Sequence, residues 1–499
     1  MIKKIISVAA TLLACTSAFA GGYLINTNQN IAFVRMPAQN AVVGTTGAYF
    51  NPAGTGFMEQ GWHASFGSQT VKQSRTIKSS YAPLALNEDN LGDPNKKYKG
   101  ETFAPVIPSI DIVYVANEHW FGSFHFGVIA GGGKCKYDEG IGSFDGLIAM
   151  VPTAFNALAQ GMGYPAPFNS YGVNLKITGS QYFFGGQLSL GYRLNEHLSF
   201  SLGVRTVYAM LGFDATIADI TINGAPAMQS ISAALGQMGI DLGDNAAALG
   251  TLLGDRTLDC TQTGWGVAPL IGVHYRLGGL DLAARYEFNT SIRLKNDTVD
   301  DAGLAQYKDG KDGIANDVSA MLSLGAGYTL SNWHFNLGFN YYFDKQSKVY
   351  YSVTDKNDKT DGIDKNPYEI LGGISYDYKK WTFSGGMQFT HFSWGEEKVF
   401  ENDMGFNPSS TSYGLGLRYN FNSRISIDAG VFNTFYHHLK KEHSDFNTIG
   451  AQMANSISGV ADALPASMKE QLINILTQPG SDNYHRTSFD VGVGININF

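Results

Sequence analysis

Charge is scarce in this chain. Asp, Glu, Lys and Arg make up 16% of its 499 residues, against about 25% in a typical soluble domain. Long apolar runs are missing as well. Beyond Ala20 no uncharged apolar stretch approaches the roughly 18 residues of a membrane-spanning helix, and a mean hydropathy of −0.11 excludes a bundle of such helices. Cysteine occurs three times, without the CxxC or Cys/His spacing of a structural zinc site. There is no GxxxxGK[ST] phosphate loop, GxSxG elbow or HExxH helix, so the chain lacks the usual marks of a nucleotide-driven pump, a serine hydrolase or a zinc protease. Nothing calls for a cofactor, and no enzymatic activity is expected. The formal charge of −8 argues against a nucleic-acid partner.

Glycine (59 residues) and aromatics (13%, led by 31 Phe and 26 Tyr) are abundant instead. Glycine, aromatics and little charge suit a transmembrane β-barrel, whose strands hide their hydrophobicity by alternation. The alternation is visible. Phe489, Val491, Val493, Ile495, Ile497 and Phe499 fall on one face of a strand, and Ser488, Asp490, Gly492, Gly494, Asn496 and Asn498 on the other. Trp333 to Asp344, Ile425 to Val431, Leu280 to Asn289 and Leu198 to Arg205 repeat the pattern. Six tight turns join such runs, at Asn117-Glu118-His119, Asn195-Glu196-His197, Gly278-Gly279, Ser331-Asn332, Lys379-Lys380 and Asn422-Ser423. Seven longer segments lie between them, at 76–102, 134–177, 218–262, 297–317, 351–366, 398–410 and 441–485. Short and long connections alternate, which gives fourteen antiparallel strands with short turns on the periplasmic side and long loops outside. Tyr114, Trp120, Tyr192, Tyr275, Tyr328, Trp333, Tyr378, Trp381 and Tyr419 lie near the short turns, where an interfacial girdle belongs.

The N-terminus reads as a secretory signal of residues 1–20. Lys3 and Lys4 precede an apolar stretch, and Ala18-Phe19-Ala20 has the form of a cleavage site. This leaves Cys135 and Cys260, which can pair in an oxidising compartment or stay free. His437, His438 and His443 are read as solvated histidines rather than metal ligands. The barrel is expected over 61–499.

Residues 21–60 alternate poorly and are read as a hatch inside the barrel. Gly22-Tyr23-Leu24-Ile25-Asn26, Ala48-Tyr49-Phe50 and Asn51-Pro52-Ala53-Gly54, followed by a barrel ending in Phe499, resemble the FadL/TodX-type outer-membrane transport family. In Asn51-Pro52-Ala53-Gly54 the Asn side chain can bond the backbone ahead, Pro fixes φ and Gly relieves the turn. The resemblance implies passive uptake of hydrophobic small molecules, foremost long-chain fatty acids, across the bacterial outer membrane. The family's other branch implies an aromatic-hydrocarbon channel. It also implies a kink in the third strand that opens the wall sideways, so that the ligand is released through a wall opening or past a shifted hatch. Here Gly131, Gly132 and Gly133 end that strand, as a kink or as the start of a loop. Pro269 marks a second irregularity, in the sixth strand.

The long loops are unusually apolar. Met228, Leu235 and Met238 in one, and Met453 and Met468 in another, lie at helical spacing and suit either a capture surface for greasy ligands or a lid packed on itself. Arg193, Arg205, Arg276, Arg285, Glu287, Arg418, Asp428 and Asp490 point inward by alternation. Most are expected to bond to one another and to the hatch, while Arg205 and Arg285 are the candidates for a ligand carboxylate. A general diffusion porin is the rival reading, but it calls for polar loops. The expected partners are the ligand, outer-membrane lipid and, through Phe499, the barrel-assembly machinery. A monomer is expected.

Overall fold

The computed structural model describes residues 24–239, 250, 253–303, 307–350, 359–394, 406–446, 470, 473–475 and 477–499. The signal segment, Met453 and Met468 lie outside them.

Fourteen antiparallel strands form a closed barrel. They are β1 (Gly61–Tyr81), β2 (Asn95–Val115), β3 (Trp120–Tyr137), β4 (Tyr171–Arg193), β5 (Leu198–Ile222), β6 (Arg256–Leu277) and β7 (Leu280–Glu287, continued by Arg293–Asp301). Then come β8 (Asp312–Ala315 and Met321–Leu330), β9 (Trp333–Tyr342), β10 (Ile363–Tyr378), β11 (Trp381–Trp394), β12 (Ser410–Asn420), β13 (Ile425–Tyr436 and Leu439–His443) and β14 (Gly480–Asn498). The barrel closes by pairing β1 with β14 from His63–Asn498 to Tyr81–Gly480. Closure pairs the first strand with the last, which removes the two free sheet edges whose unpaired backbone groups would be costly in lipid.

Alternation places the side chains as expected. On β14 Phe489, Val491 and Val493 are exposed to lipid while Ser488, Asp490 and Asn496 are buried in the lumen. Trp62, Tyr114, Trp120, Tyr192, Tyr275, Tyr328, Trp333, Tyr378 and Trp381 are exposed near the short turns, and Trp62 stacks on Tyr114 at 4.4 Å. Tyr419 is half-buried against Trp381.

The short turns use two devices. In three of them an Asn side chain accepts amides ahead of it: Asn117 from His119 and Trp120, Asn195 from His197 and Leu198, and Asn422 from Arg424 and Ile425. In the other three a residue takes positive φ: Gly278 (58°), Ser331 (55°) and Lys379 (56°).

The strands run further outward than the sequence reading allowed. β5 spans 25 residues, while a tilted strand crosses the bilayer in about 9–11. The expected loop 76–102 shrinks to the connection between Tyr81 and Asn95, and 134–177 to that between Tyr137 and Tyr171. These outer strand portions carry polar residues on the face that lower down meets lipid, so their alternation changes character and is easily read as loop. Above them lie α3 (Gly142–Gly161) and α4 (Ala227–Gln237). Two shorter helices, α1 (Ile31–Arg35) and α2 (Gly47–Phe50), precede β1.

Candidate functional site

The segment 24–57 lies inside the barrel. A non-sheet segment in a lumen must find partners for its backbone groups, and inward side chains provide them. Gln187 donates to Ala48 O (2.8 Å), Arg285 to Tyr49 O, Ser199 to Ala53 O (2.7 Å) and Arg193 to Gly56 O (3.3 Å). The segment's own polar side chains reach further strands of the wall. Asn28 bonds Asp490 at 3.0 Å, Asn30 bonds Asp111 at 3.1 Å, Asn40 bonds Ser323 at 2.8 Å and Asn340 at 2.9 Å, and Arg35 lies 3.4 Å from Asp428.

Inward glycines admit this contact. A Cβ on Gly414 would stand 2.5 Å from Val34 O, one on Gly494 2.6 Å from Ile31 Cγ2, and one on Gly325 2.6 Å from Ala41 N. Much of the inward glycine along β8 to β14 is therefore explained by the close approach of the segment rather than by turns.

Asn51-Pro52-Ala53-Gly54 forms a buried capped turn. Asn51 accepts the Gly54 amide at 3.1 Å and starts the 3-10 helix Pro52–Phe57. Its amide nitrogen lies 3.0 Å from His274 Nδ1, and His274 Nε2 lies 2.8 Å from Asp281, which also takes Arg276 at 2.7 Å. The tetrapeptide is thus wired to β6 and β7.

Arg205 and Arg285 do come together, around Glu287. Arg205 pairs with Glu287 at 2.6 Å and Arg285 at 3.0 Å, and both guanidinium groups lie over the Tyr49 ring, at 4.9 and 4.7 Å. All three charges are buried. The two cations proposed from sequence for a ligand are already engaged by a carboxylate and by the lumen segment.

A different pair of cations was missed. Arg75 of β1 and Arg486 of β14 are directly opposite in register and fully or nearly buried. Arg486 donates to Gln73 at 2.9 Å and to Asn407 at 3.4 Å, and lies 4.6 Å from the Tyr436 ring centre. Among the described residues Arg486 forms no ion pair. Tyr484, on the same face of β14, packs on Phe406 at 4.7 Å, so an apolar wall adjoins the cation. Alternation from Asp490 back to Arg486 marks this arginine as inward, but its neighbour Arg75 is known only once the first and last strands pair.

The wall is broken between β2 and β3. Their ladder holds at Gly100–Thr102 with Cys135–Tyr137 and at Ile110–Val115 with Phe121–Phe126, and is absent between. Gly131 and Gly133 have φ of 91° and 77°, and β3 shifts register against β4 at Val128/Ala130 and Gly131/Gly133. On the facing strand Pro105 and Pro108 have no amide hydrogen to offer. The sequence reading passed over this proline pair, although two prolines within one strand are a local signal. The released β3 backbone bonds inward instead: Asn26 N donates to Ile129 O and Gly131 N to Leu24 O, both at 2.9 Å. Just below, His125 meets Asp111 at 2.8 Å, and Gln29 donates to Val128 O at 3.0 Å. Pro269 also sits at an irregularity, since β7 is interrupted between Glu287 and Arg293 beside it, and Phe288 N donates to Pro269 O at 3.1 Å.

Outside, α3 and α4 share a core. Leu235 is buried with Ile148, Val151 and Phe168, and Met228 and Met238 pack at its margin. Asp145 ties α3 to the barrel by accepting from Lys96 (2.7 Å), Tyr98 (2.8 Å) and Tyr171 (2.7 Å). Met162 and Tyr164, at the end of α3, are exposed. Cys135 and Cys260 are buried free thiols. Among the described residues no group of His, Cys, Asp and Glu could hold a metal ion, and His443 instead meets Asp482 at 2.9 Å.

A family model described as Gram-negative porin matches residues 209–436. Among solved structures, a Pseudomonas aeruginosa FadL homologue is similar with a TM-score of 0.62 at 12% identity, over 96% of this chain and 100% of the other. The Pseudomonas putida toluene transporter TodX is similar with a TM-score of 0.55 at 13% identity, over 97% and 100% of the two chains. No curated protein matches the sequence. The protein is a bacterial outer-membrane β-barrel that crosses the bilayer many times with its strands. Within that class it has the FadL/TodX-type fold, as the resemblance at residues 22–26 and 48–54 implied.

Proposed function

We propose that this protein is a passive outer-membrane channel for hydrophobic small molecules, which leave the lumen sideways through the wall between β2 and β3. The observation that carries this reading is the broken β2–β3 ladder, backed from inside by Leu24–Asn26. A water-filled porin has no use for a gap that faces lipid, whereas a greasy ligand gains by passing straight into the bilayer. Segment 24–57 then acts as the hatch, and the Arg205–Glu287–Arg285 cluster over Tyr49 as its latch. A ligand carboxylate reaches Arg205 or Arg285 only by taking the place of Glu287. Ligand capture falls to the apolar rim of α3 and α4, with Met162, Tyr164, Met228 and Met238. Phe499, exposed at the end of β14, is assigned as the contact for the assembly machinery.

Within this reading the ligand is a long-chain fatty acid. Arg486, buried beside an apolar wall and opposite Arg75, supports a carboxylate-bearing ligand. A neutral aromatic hydrocarbon is the second reading, supported by the similarity to a toluene transporter. Purification of the full chain and identification of the molecules bound to it tests both. Copurified fatty acid supports the first and aromatic hydrocarbon the second. Empty protein with large, steady ion conductance in planar bilayers contradicts both in favour of a porin.

A further inference from the structure

The outer wall above the gap carries charge that no ligand in the lumen can use. Lys78 on β1, Lys97 and Lys99 on β2, Lys134 and Lys136 on β3 and Lys176 on β4 are all exposed. They alternate with the buried Ile77, Tyr98, Cys135, Tyr137 and Ile177, so they face outward from the barrel. Lys78 and Lys97 are direct cross-strand partners, an arrangement that like charges disfavour. The lysine ion pairs of the described residues, Lys96–Asp145 and Lys440–Glu442, involve none of the six.

Height and shape single out the occupant. From the girdle residue Trp62 to Lys72, the first outward lysine of β1, the strand runs about 33 Å at roughly 3.3 Å per residue. A tilt of about 40° turns this into roughly 25 Å, the height of the apolar band. Outward lysines therefore begin, with Lys72, at the level of the outer-leaflet headgroups, and Lys78 and Lys97 lie six residues higher on the wall. Between β2 and β3 the wall holds a depression of about 450 Å³, lined by Lys99, Lys134, Lys136, Phe103, Glu101, Asp138 and Glu139. Glu101 lies opposite Lys136 in register and Asp138 and Glu139 share the lining, so the depression itself is balanced and the excess positive charge of this face comes from Lys78, Lys97 and Lys176 around it. Directly below, where the ladder is broken, Phe103 and Val106 are 64% and 66% exposed and form an apolar strip leading down the wall. A free phosphate has no use for that strip, and an uncharged lipid none for the lysines.

We propose that this face binds a lipid of the outer leaflet with a bisphosphorylated, net anionic headgroup. Its phosphorylated headgroup spreads up the wall from Lys134 and Lys99 to Lys97 and Lys78, and an acyl chain lies over Phe103 and Val106, covering the outside of the wall gap. Lysine ammonium groups suit this role as compact charges with several donors each. The site stands independently of which ligand the lumen carries.

Native mass spectrometry of the detergent-solubilised full chain with lipid A, a bisphosphorylated glycolipid, tests the proposal. The wild type is expected to retain the lipid. The combined substitution Lys78→Gln, Lys97→Gln, Lys99→Gln, Lys134→Gln is expected to weaken retention more than about tenfold, while the four lysine-to-arginine changes preserve it. Val106→Asp is expected to weaken retention with every lysine in place. Heat-modifiable gel migration reports that each variant folds. Unchanged retention by the folded glutamine variant overturns the proposal. So does equal retention of zwitterionic phosphatidylethanolamine, or displacement of lipid A by equimolar inorganic phosphate.

Discussion

The Gly131 amide of β3 donates to the Leu24 carbonyl at 2.9 Å, across the lumen side of the barrel wall. In an unbroken barrel that amide belongs to a neighbouring strand. Here it belongs to the N-terminal segment, so wall and segment share one hydrogen-bonding scheme at the gap. A change on either side is therefore expected to be felt by the other.

Gly131→Val tests the wall side. With φ at 91°, a β-branched residue is strained there, by roughly 1–3 kcal/mol. The expected relief is a straighter β3 that pairs with β2. Uptake of a labelled hydrophobic ligand then falls while the amount of folded protein in the outer membrane is unchanged. Uptake equal to the wild type separates the kink from transport.

Glu287→Gln tests the latch. It leaves two buried guanidinium groups without their shared carboxylate, and breaking a buried ion pair from one side typically costs about 3–5 kcal/mol. The heat-modification midpoint should drop and ion conductance in planar bilayers should rise as the segment loosens. If conductance stays at the wild-type level, Arg205 and Arg285 do not hold the segment.

Asn51→Ala removes the cap of the turn at Pro52 and the bond to His274. Loss of such a cap costs about 1 kcal/mol. Limited proteolysis from the periplasmic side should reach the segment sooner, with the barrel itself still resistant.

Arg486→Ala distinguishes the two ligand classes. A hydrogen bond to a charged group contributes about 1.5–3 kcal/mol, so fatty-acid affinity measured by equilibrium binding should fall roughly tenfold or more. Toluene binding should not change. Equal loss for both ligands indicates a structural role for the arginine, and no loss for either removes it from the site.

Much of this was legible in the sequence because a barrel strand repeats every two residues. The alternation around Trp333 or Val491 carried the strand count, and the asparagines and glycines at the turns carried the topology. What stayed hidden depends on closure. Arg75 and Arg486 lie more than four hundred residues apart and meet only where β1 pairs with β14. Glu287 could be seen to face inward, but not to take both arginines, because Arg205 comes from a strand two places away. The strand ends were lost where lysines and polar residues replaced lipid-facing side chains, as at Lys97 and Lys99. Gly131 to Gly133 were visible as glycines, yet only the missing β2–β3 pairing separates a kink from the start of a loop.

The most direct measurement of the central claim is uptake through a wall closed by design. Pro105→Val and Pro108→Val, combined with Gly131→Ala, restore the missing donors and remove the bend. Cells that depend on this protein for a labelled long-chain fatty acid or toluene should accumulate it with the wild-type chain and lose most of that uptake with the closed variant, at equal levels of folded barrel. Accumulation by the closed variant at the wild-type rate contradicts sideways release.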